Sequence, residues 1–317
     1  MINYSIYIRT LGQGGEKYAR LLKSIDWLVC RPREVVMVLP HGYDLPTERL
    51  GYERFAFCEK GMVKQRVFAI ADCKTEWVLL LDDDVAFESR FIEELYDAAA
   101  KTGADAAIAV LNEVPLQGME KVKKRLLSWG RHLALAEGTL SSGNYYIRIN
   151  MAAGHKMLTN IDRSRLYMTE SGHGTHCFAK IKALRDIHFE EELWLEESGY
   201  ALPEDQVFYY KLHLMGYKIV CNPSVYFEHL DAKSTGNIGR RNKLLYATSR
   251  NFHIFWRKFI MARADTGFYK FLCRLAINYR HVCELCFIVL PAAIVTQNIS
   301  FIHSYVSGWR DGVKRQI

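Results

Sequence analysis

At 317 residues, half of them hydrophobic and 24% charged, the chain has a folded, globular composition, which excludes a disordered or low-complexity protein. Eight cysteines, mostly scattered singly, exclude a disulfide framework; Cys283 and Cys286 read as small hydrophobes on a helix, and a reducing compartment without a signal peptide is expected. The net charge of +7 is uneven: Gly239 to Ile317 holds 13 Lys and Arg against three acids, a net of +10, leaving −3 for residues 1–238.

In chain order, Ser5 to Ile8 reads as a strand followed by a turn at Gly12, Gly14 and Gly15. Lys17 to Trp27 has helical periodicity, with Tyr18, Leu21, Leu22 and Ile25 on one face. Glu34 to Leu39 is a buried strand stopped by Pro40-His41-Gly42, and Arg54 to Cys58 is a third. Gly61 to Cys73 is predicted helical, Glu76 to Leu81 a strand, Arg90 to Lys101 a helix and Ala106 to Val110 a strand. Such alternation predicts a mostly parallel sheet with helices on both faces.

The rhythm then changes. Glu120 to Ala136 is a Lys/Arg-rich amphipathic helix, while Tyr145 to Asn150 and Leu166 to Ala179 read as β-ribbon. The acidic stretch Phe189 to Glu197 is expected to be a solvated face. Glu204 to Met215 is helical, with short strands at Lys218 to Cys221 and Ser224 to Glu228. The expected division is 1–115, 116–238 and a basic tail over 239–317. That tail holds 13 of the Phe, Tyr and Trp residues, which suggests an anionic membrane surface rather than nucleic acid. Its apolar run Leu285 to Val295, broken by Pro291, is too short to cross a bilayer, which needs about 20 helical residues.

One feature carries the chemistry. Trp77 to Leu81 is apolar throughout and ends in Asp82, Asp83 and Asp84. Three adjacent carboxylates repel one another and call for a counter-charge. At the carboxyl end of a parallel strand, where ligands bind, a divalent cation carrying a diphosphate supplies it. A helix-capping loop needs only one acid, so three argue for function over capping.

Four motifs resemble the family-2-type glycosyltransferases of the GT-A (Rossmann-like) fold, over roughly Ser5 to Asn251: Ser5-Ile-Tyr-Ile-Arg-Thr10; Gly61-Met-Val-Lys-Gln-Arg66; Leu81-Asp-Asp-Asp-Val85 as Asp-x-Asp; and Glu204-Asp205 followed by Gly216-Tyr-Lys. The resemblance implies an α/β fold with a nucleotide-sugar half, an acceptor-side α+β half and the C-terminal helical tail. It implies Mn²⁺ or Mg²⁺ held by Asp82, Asp84 and His229, with Thr10, Lys64, Arg66, Asp82 and Asp83 at the donor. Asp205 is implied as the general base of an inverting transfer, with Gly172, Gly174 and Glu204 on the acceptor side. The implied donor is a nucleotide-diphosphate sugar, UDP-linked by preference, and the acceptor a surface polysaccharide or lipid-linked glycan. The implied location is cytoplasmic, peripheral on the inner face of the cell membrane, with no nucleic acid. Where the family often has a base-binding aspartate, this chain reads Leu39-Pro40-His41-Gly42. A GT-A-like nucleotidyltransferase and an inactive glycan- or partner-binding module stay open beside this reading. His173 and His176 could also be read as a metal pair, but Gly172 and Gly174 beside them read better as allowing close backbone approach.

Overall fold

The computed structural model describes residues 2–112, 118–230 and 238–315. Its central sheet, nine-stranded among the described residues, is built first from β1 (Tyr4–Arg9), β2 (Val35–Pro40), β3 (Arg54–Cys58) and β4 (Trp77–Asp82). These four run parallel in the order β4-β1-β2-β3. Side chains alternate along each strand, so successive residues enter different cores. Tyr7, Val36, Val38, Val78 and Leu80 pack on one face; Ile6, Ile8, Val35, Met37, Leu79 and Leu81 pack on the other. Coverage on both sides is why these strands carry no polar alternation.

Helices α1 (Glu16–Asp26), α2 (Met62–Asp72) and α3 (Phe91–Thr102) connect the strands. α1 buries Tyr18, Leu21, Leu22 and Ile25, the face its periodicity predicts. α3 ends at Gly103, whose φ of 63° is the left-handed cap conformation that glycine adopts without strain. The short β5 (Val85–Phe87) and then β6 (Ala106–Leu111) follow, and α4 (Gly118–Leu133) comes next. β7 (Glu137–Leu140), β8 (Ile147–Ile149) and β9 (His155–Leu158) form a separate three-stranded sheet of which only the β8 segment was expected.

The stretch expected as β-ribbon is divided instead. β10 (Tyr167–Met168) pairs with β12 (Ile219–His229), whereas β11 (His176–Lys180) enters the main sheet antiparallel between β4 and β6. The two short strands expected at 218–228 are one strand, β12, whose register shifts between Asn222 and Tyr226. Between them lie α5 (Ile181–Asp186), a 3₁₀ segment at Phe189–Ser198 and α6 (Glu204–Leu214).

The C-terminal part is helical: α7 (Ile238–Phe255), α8 (Gly267–Glu284), a π turn, α9 (Leu290–Val295) and α10 (Ser300–Lys314). Gly267–Val295 forms one 29-residue helical run, long and apolar enough to cross a membrane by length and composition alone. This corrects the expectation that rested on Leu285 to Val295 in isolation: Pro291 follows the π turn at Leu285–Val289 and does not end the helical run. The boundary expected between residues 115 and 116 lies outside the described residues.

Candidate functional site

β1 and β4 are in register, so Arg9 at the end of one lies beside Asp82 at the end of the other. The Arg9 guanidinium grips the Asp82 carboxylate through Nε and through Nη2, the latter at 3.2 Å. Its Nη1 lies 3.3 Å from Glu204 Oε2, and Nη2 also donates to the Gly174 carbonyl at 3.3 Å. Burial alone would depress the Arg9 pKa, but Asp82 and Glu204 outweigh it and leave the group above its ordinary value.

Asp83 takes a different partner, accepting from the Thr10 hydroxyl at 2.6 Å. Burial pushes its carboxyl up to about 6, with the charges of Asp82 and Asp84 adding and the Thr10 bond opposing. Asp84 Oδ2 lies 3.1 Å from His229 Nε2. That pairing is a product of topology: β5 runs antiparallel to β12, which sets His229 opposite Val85, and Leu230 N donates to the Asp84 carbonyl at 2.7 Å.

At the start of α6, Glu204 is 2% exposed and clamped between two guanidinia, Arg9 and Arg66. Arg66 also donates to the Gly174 carbonyl at 3.2 Å and lies over the Phe208 ring. The expected diphosphate contact Arg66 is therefore buried and engaged internally, while Lys64 is half-buried and paired with Glu59 at 2.6 Å. Asp205 lies against Gly174: a Cβ at that glycine would approach Asp205 Cβ to 2.9 Å. Gly172 is pinned in the same way by the Tyr209 ring. Burial, then the neighbouring charge of Glu204, raises Asp205 to about 6 against the opposing Arg66 and Arg9.

Of these groups Arg9, Thr10, Asp82, Asp83 and Asp84 line a cleft of about 510 Å³, together with Gln65 and Glu196 among others. Arg9 and Glu196 had not been singled out from the sequence. The position of Arg9 at the exit of a strand parallel to β4 was the available signal. Glu196 had none, because the acidic stretch was expected to face solvent. That expectation holds for Glu190, Glu191 and Glu197, which are exposed, and is corrected for Glu192 and Glu196. Glu196 Oε1 caps α2 by accepting from Val63 N at 2.7 Å and Lys64 N at 3.2 Å. Glu192 is buried and accepts from Lys258 Nζ at 2.8 Å, and Glu197 pairs with Arg250 at 2.6 Å. His176 is buried and its Nε2 accepts from Ala109 N at 2.9 Å, which engages that nitrogen within the core; burial lowers its pKa to about 3.

Among the described residues no three His, Cys, Asp or Glu side chains gather closely enough to hold a metal ion by themselves. Asp84 and His229 nevertheless fit one: a carboxylate oxygen and an imidazole nitrogen converge at the cleft edge, leaving the other positions to diphosphate oxygens and water. Asp82 can join this pair only by loosening its grip on Arg9.

Residues 54–171 match the model described as glycosyl transferase family 2. No curated protein matches the sequence. Among solved structures, S. aureus TarS 1-349 is similar with a TM-score of 0.54 and 15% identity, covering 99% of this chain and 80% of that one. The same fragment in complex with UDP-GlcNAc gives a TM-score of 0.54 at 14% identity, covering 99% and 81%. A longer TarS structure gives 0.55 at 14%, covering 99% of this chain and 49% of that one. At these identities the likeness is one of fold, which is GT-A-like.

Proposed function

For a chain that carries a glycosyl transferase family 2 segment on a GT-A-like fold, we propose metal-dependent transfer of a sugar from a nucleotide-diphosphate donor, with inversion. The observation that carries this reading is that Asp82 and Asp84, the latter paired with His229, stand at one strand end, where Arg9 links Asp82 to Glu204, the residue before Asp205.

Asp84 and His229, joined by Asp82 once it loosens from Arg9, would hold Mn²⁺ or Mg²⁺. When bound, that ion supplies Lewis-acid stabilisation of the departing diphosphate. Arg9 adds a fixed positive charge on the cleft wall. Thr10 and Asp83 line the donor side. Asp205 takes the acceptor hydroxyl proton as that oxygen bonds the anomeric carbon, and the electron pair of the broken carbon–oxygen bond leaves with the diphosphate. Its raised pKa suits a base that must be ionised yet basic near neutrality. Glu204 orients Arg9 and Arg66, and the Gly172 and Gly174 segment sets the backbone beside the acceptor. A UDP-sugar is the preferred donor, in keeping with the UDP-GlcNAc complex of TarS. The acceptor is read as a polysaccharide or lipid-linked glycan met at the inner face of the cell membrane.

Turnover of a panel of UDP-sugars, with chelator and after Mn²⁺ or Mg²⁺ restoration, tests the reading. Activity should vanish in chelator and return with the ion, and Asp84→Ala should lose the ion's stabilisation of the donor complex. Full turnover in excess chelator overturns the metal.

A further inference from the structure

The helical run Gly267–Val295 wears its polarity inside out. Its inward side carries Arg280, His281 and Glu284, all buried. Arg280 Nε donates to Glu284 Oε1 and its Nη1 to the Ala152 carbonyl, each at 2.9 Å; Tyr305 Oη donates to Glu284 Oε2 at 2.6 Å, and His281 Nδ1 lies 3.0 Å from that hydroxyl. Its outward side carries Phe268, Phe271, Leu275, Tyr279 and Val282 at helical spacing, every one exposed, Phe268 to 72%. A helix facing water has the opposite arrangement.

α4 repeats the pattern. Met119, Val122, Leu126 and Trp129 fall on one stripe, all exposed, with Leu126 at 64%. The stripe runs into the first one, because the Trp129 ring meets Phe287 edge-on at 5.8 Å. Gly130, the one buried residue of α4, permits that approach: a Cβ there would lie 3.2 Å from the Phe287 carbonyl oxygen. Beside this joined apolar face, Lys123, Arg125 and Arg274 are exposed, while the only acids of the two helices are Glu120 and the buried Glu284. Although Gly267–Val295 is long enough to span, its inward side is fastened to Ala152 and Tyr305, so it lies flat on the body of the protein.

We propose that the joined face of α4 and Gly267–Val295 docks on the headgroup and acyl boundary of an anionic bilayer, both helices lying in its plane. Apolar side chains enter the boundary and the lysines and arginines meet anionic headgroups. This deepens the peripheral location proposed above and rests on it, while standing apart from the chemistry assigned to the cleft.

The test is co-sedimentation of the full chain with phosphatidylcholine vesicles, with and without phosphatidylglycerol, at low and high salt. Binding is expected on the anionic vesicles, weakened by salt and much weaker on the neutral ones. Leu126→Glu and Leu275→Glu should each reduce affinity at least about tenfold, and Lys123→Glu about fivefold or more. Thermal melting should be unchanged in all three, since these side chains are exposed. Val29→Glu, an equally exposed site on another element, should have no effect on binding. If Leu275→Glu abolishes binding and Leu126→Glu does not, the joined face is overturned and the peripheral location stands. If the wild-type chain ignores anionic vesicles but is a dimer that Leu126→Glu disperses, the partner is a second copy and the lipid proposal falls. If it ignores vesicles as a monomer, both the face and the location fall, whatever its donor turnover.

Discussion

Asp205 brings two opposing effects of one burial into view. As a base it must be ionised, so turnover should fall about tenfold per pH unit below its pKa of about 6. Asp205→Asn should lose about 10²-fold or more in kcat with donor affinity little changed. In stability the sign is reversed. A carboxyl whose folded pKa is raised contributes fully only below its unfolded value of about 3.9 and loses that contribution as pH rises through about 6. Asp205→Asn should therefore be more stable than wild type at about pH 8, by at most about 3 kcal/mol, and show no gain below about pH 4. Urea melts at the two pH values check this, and equal stability at both would mean the charge is well solvated. Glu204 behaves differently, because Arg9 and Arg66 both depend on it. Glu204→Ala leaves two buried cations short of a partner and should cost about 3–5 kcal/mol. A stable variant with only a raised acceptor KM would instead make Glu204 an acceptor contact.

At the scale of elements, the N-terminus of α2 is held by a carboxylate from far along the chain. Gly61 precedes α2 with a φ of 155°, and a Cβ there would strike the Glu196 carboxylate. Gly61→Ala combines backbone strain with loss of the cap, and Glu196→Gln removes only the charge on the capping oxygen. The first should destabilise by about 2 kcal/mol and the second by about 1 kcal/mol or less. Denaturant midpoints compare them. If both are silent, the cap contributes nothing to α2 and Glu196 is free to serve the cleft. Pairing between β5 and β12 has the same character: three residues of strand put His229 beside Asp84, and no local propensity at either position encodes that distance.

Over the whole molecule, the tail is a buttress of the Glu204-Asp205 segment. Asn251 on α7 donates through Nδ2 to the carbonyls of Leu195 at 3.0 Å and Leu202 at 2.9 Å, on the approach to Glu204 and Asp205. α10 packs against α7 at glycine distance, with Gly308 and Gly312 against the Tyr246 and Arg250 carbonyls. A chain cut near Gly267 loses α10 and uncovers α7. It should lose several kcal/mol, lowering Tm by about 10 °C or more, rather than persist as an unchanged core. Asn251→Ala should lower kcat while leaving vesicle binding intact. A truncated chain that melts like the full one would make the tail an appendage.

The sequence by itself determined the parallel half of the sheet and its strand-end acids. Runs such as Val35 to Leu39 and Trp77 to Leu81 are apolar on both faces, and only a strand covered by helices on both sides can use them. It also marked the basic, aromatic tail, because residue type is a local property, while the segment Glu204-Asp205 was marked by resemblance to the family. Only the tertiary structure decided which charges meet. Arg9 between Asp82 and Glu204, Glu196 at the head of α2, and Glu192 between Lys211 and Lys258 are contacts between distant segments. Their energies depend on burial and separation in space, and no window of neighbouring residues carries either quantity. For the same reason the basic, aromatic composition of the tail was legible, but the outward facing of the apolar stripe of α8 was fixed only when Arg280, His281 and Glu284 found partners inside.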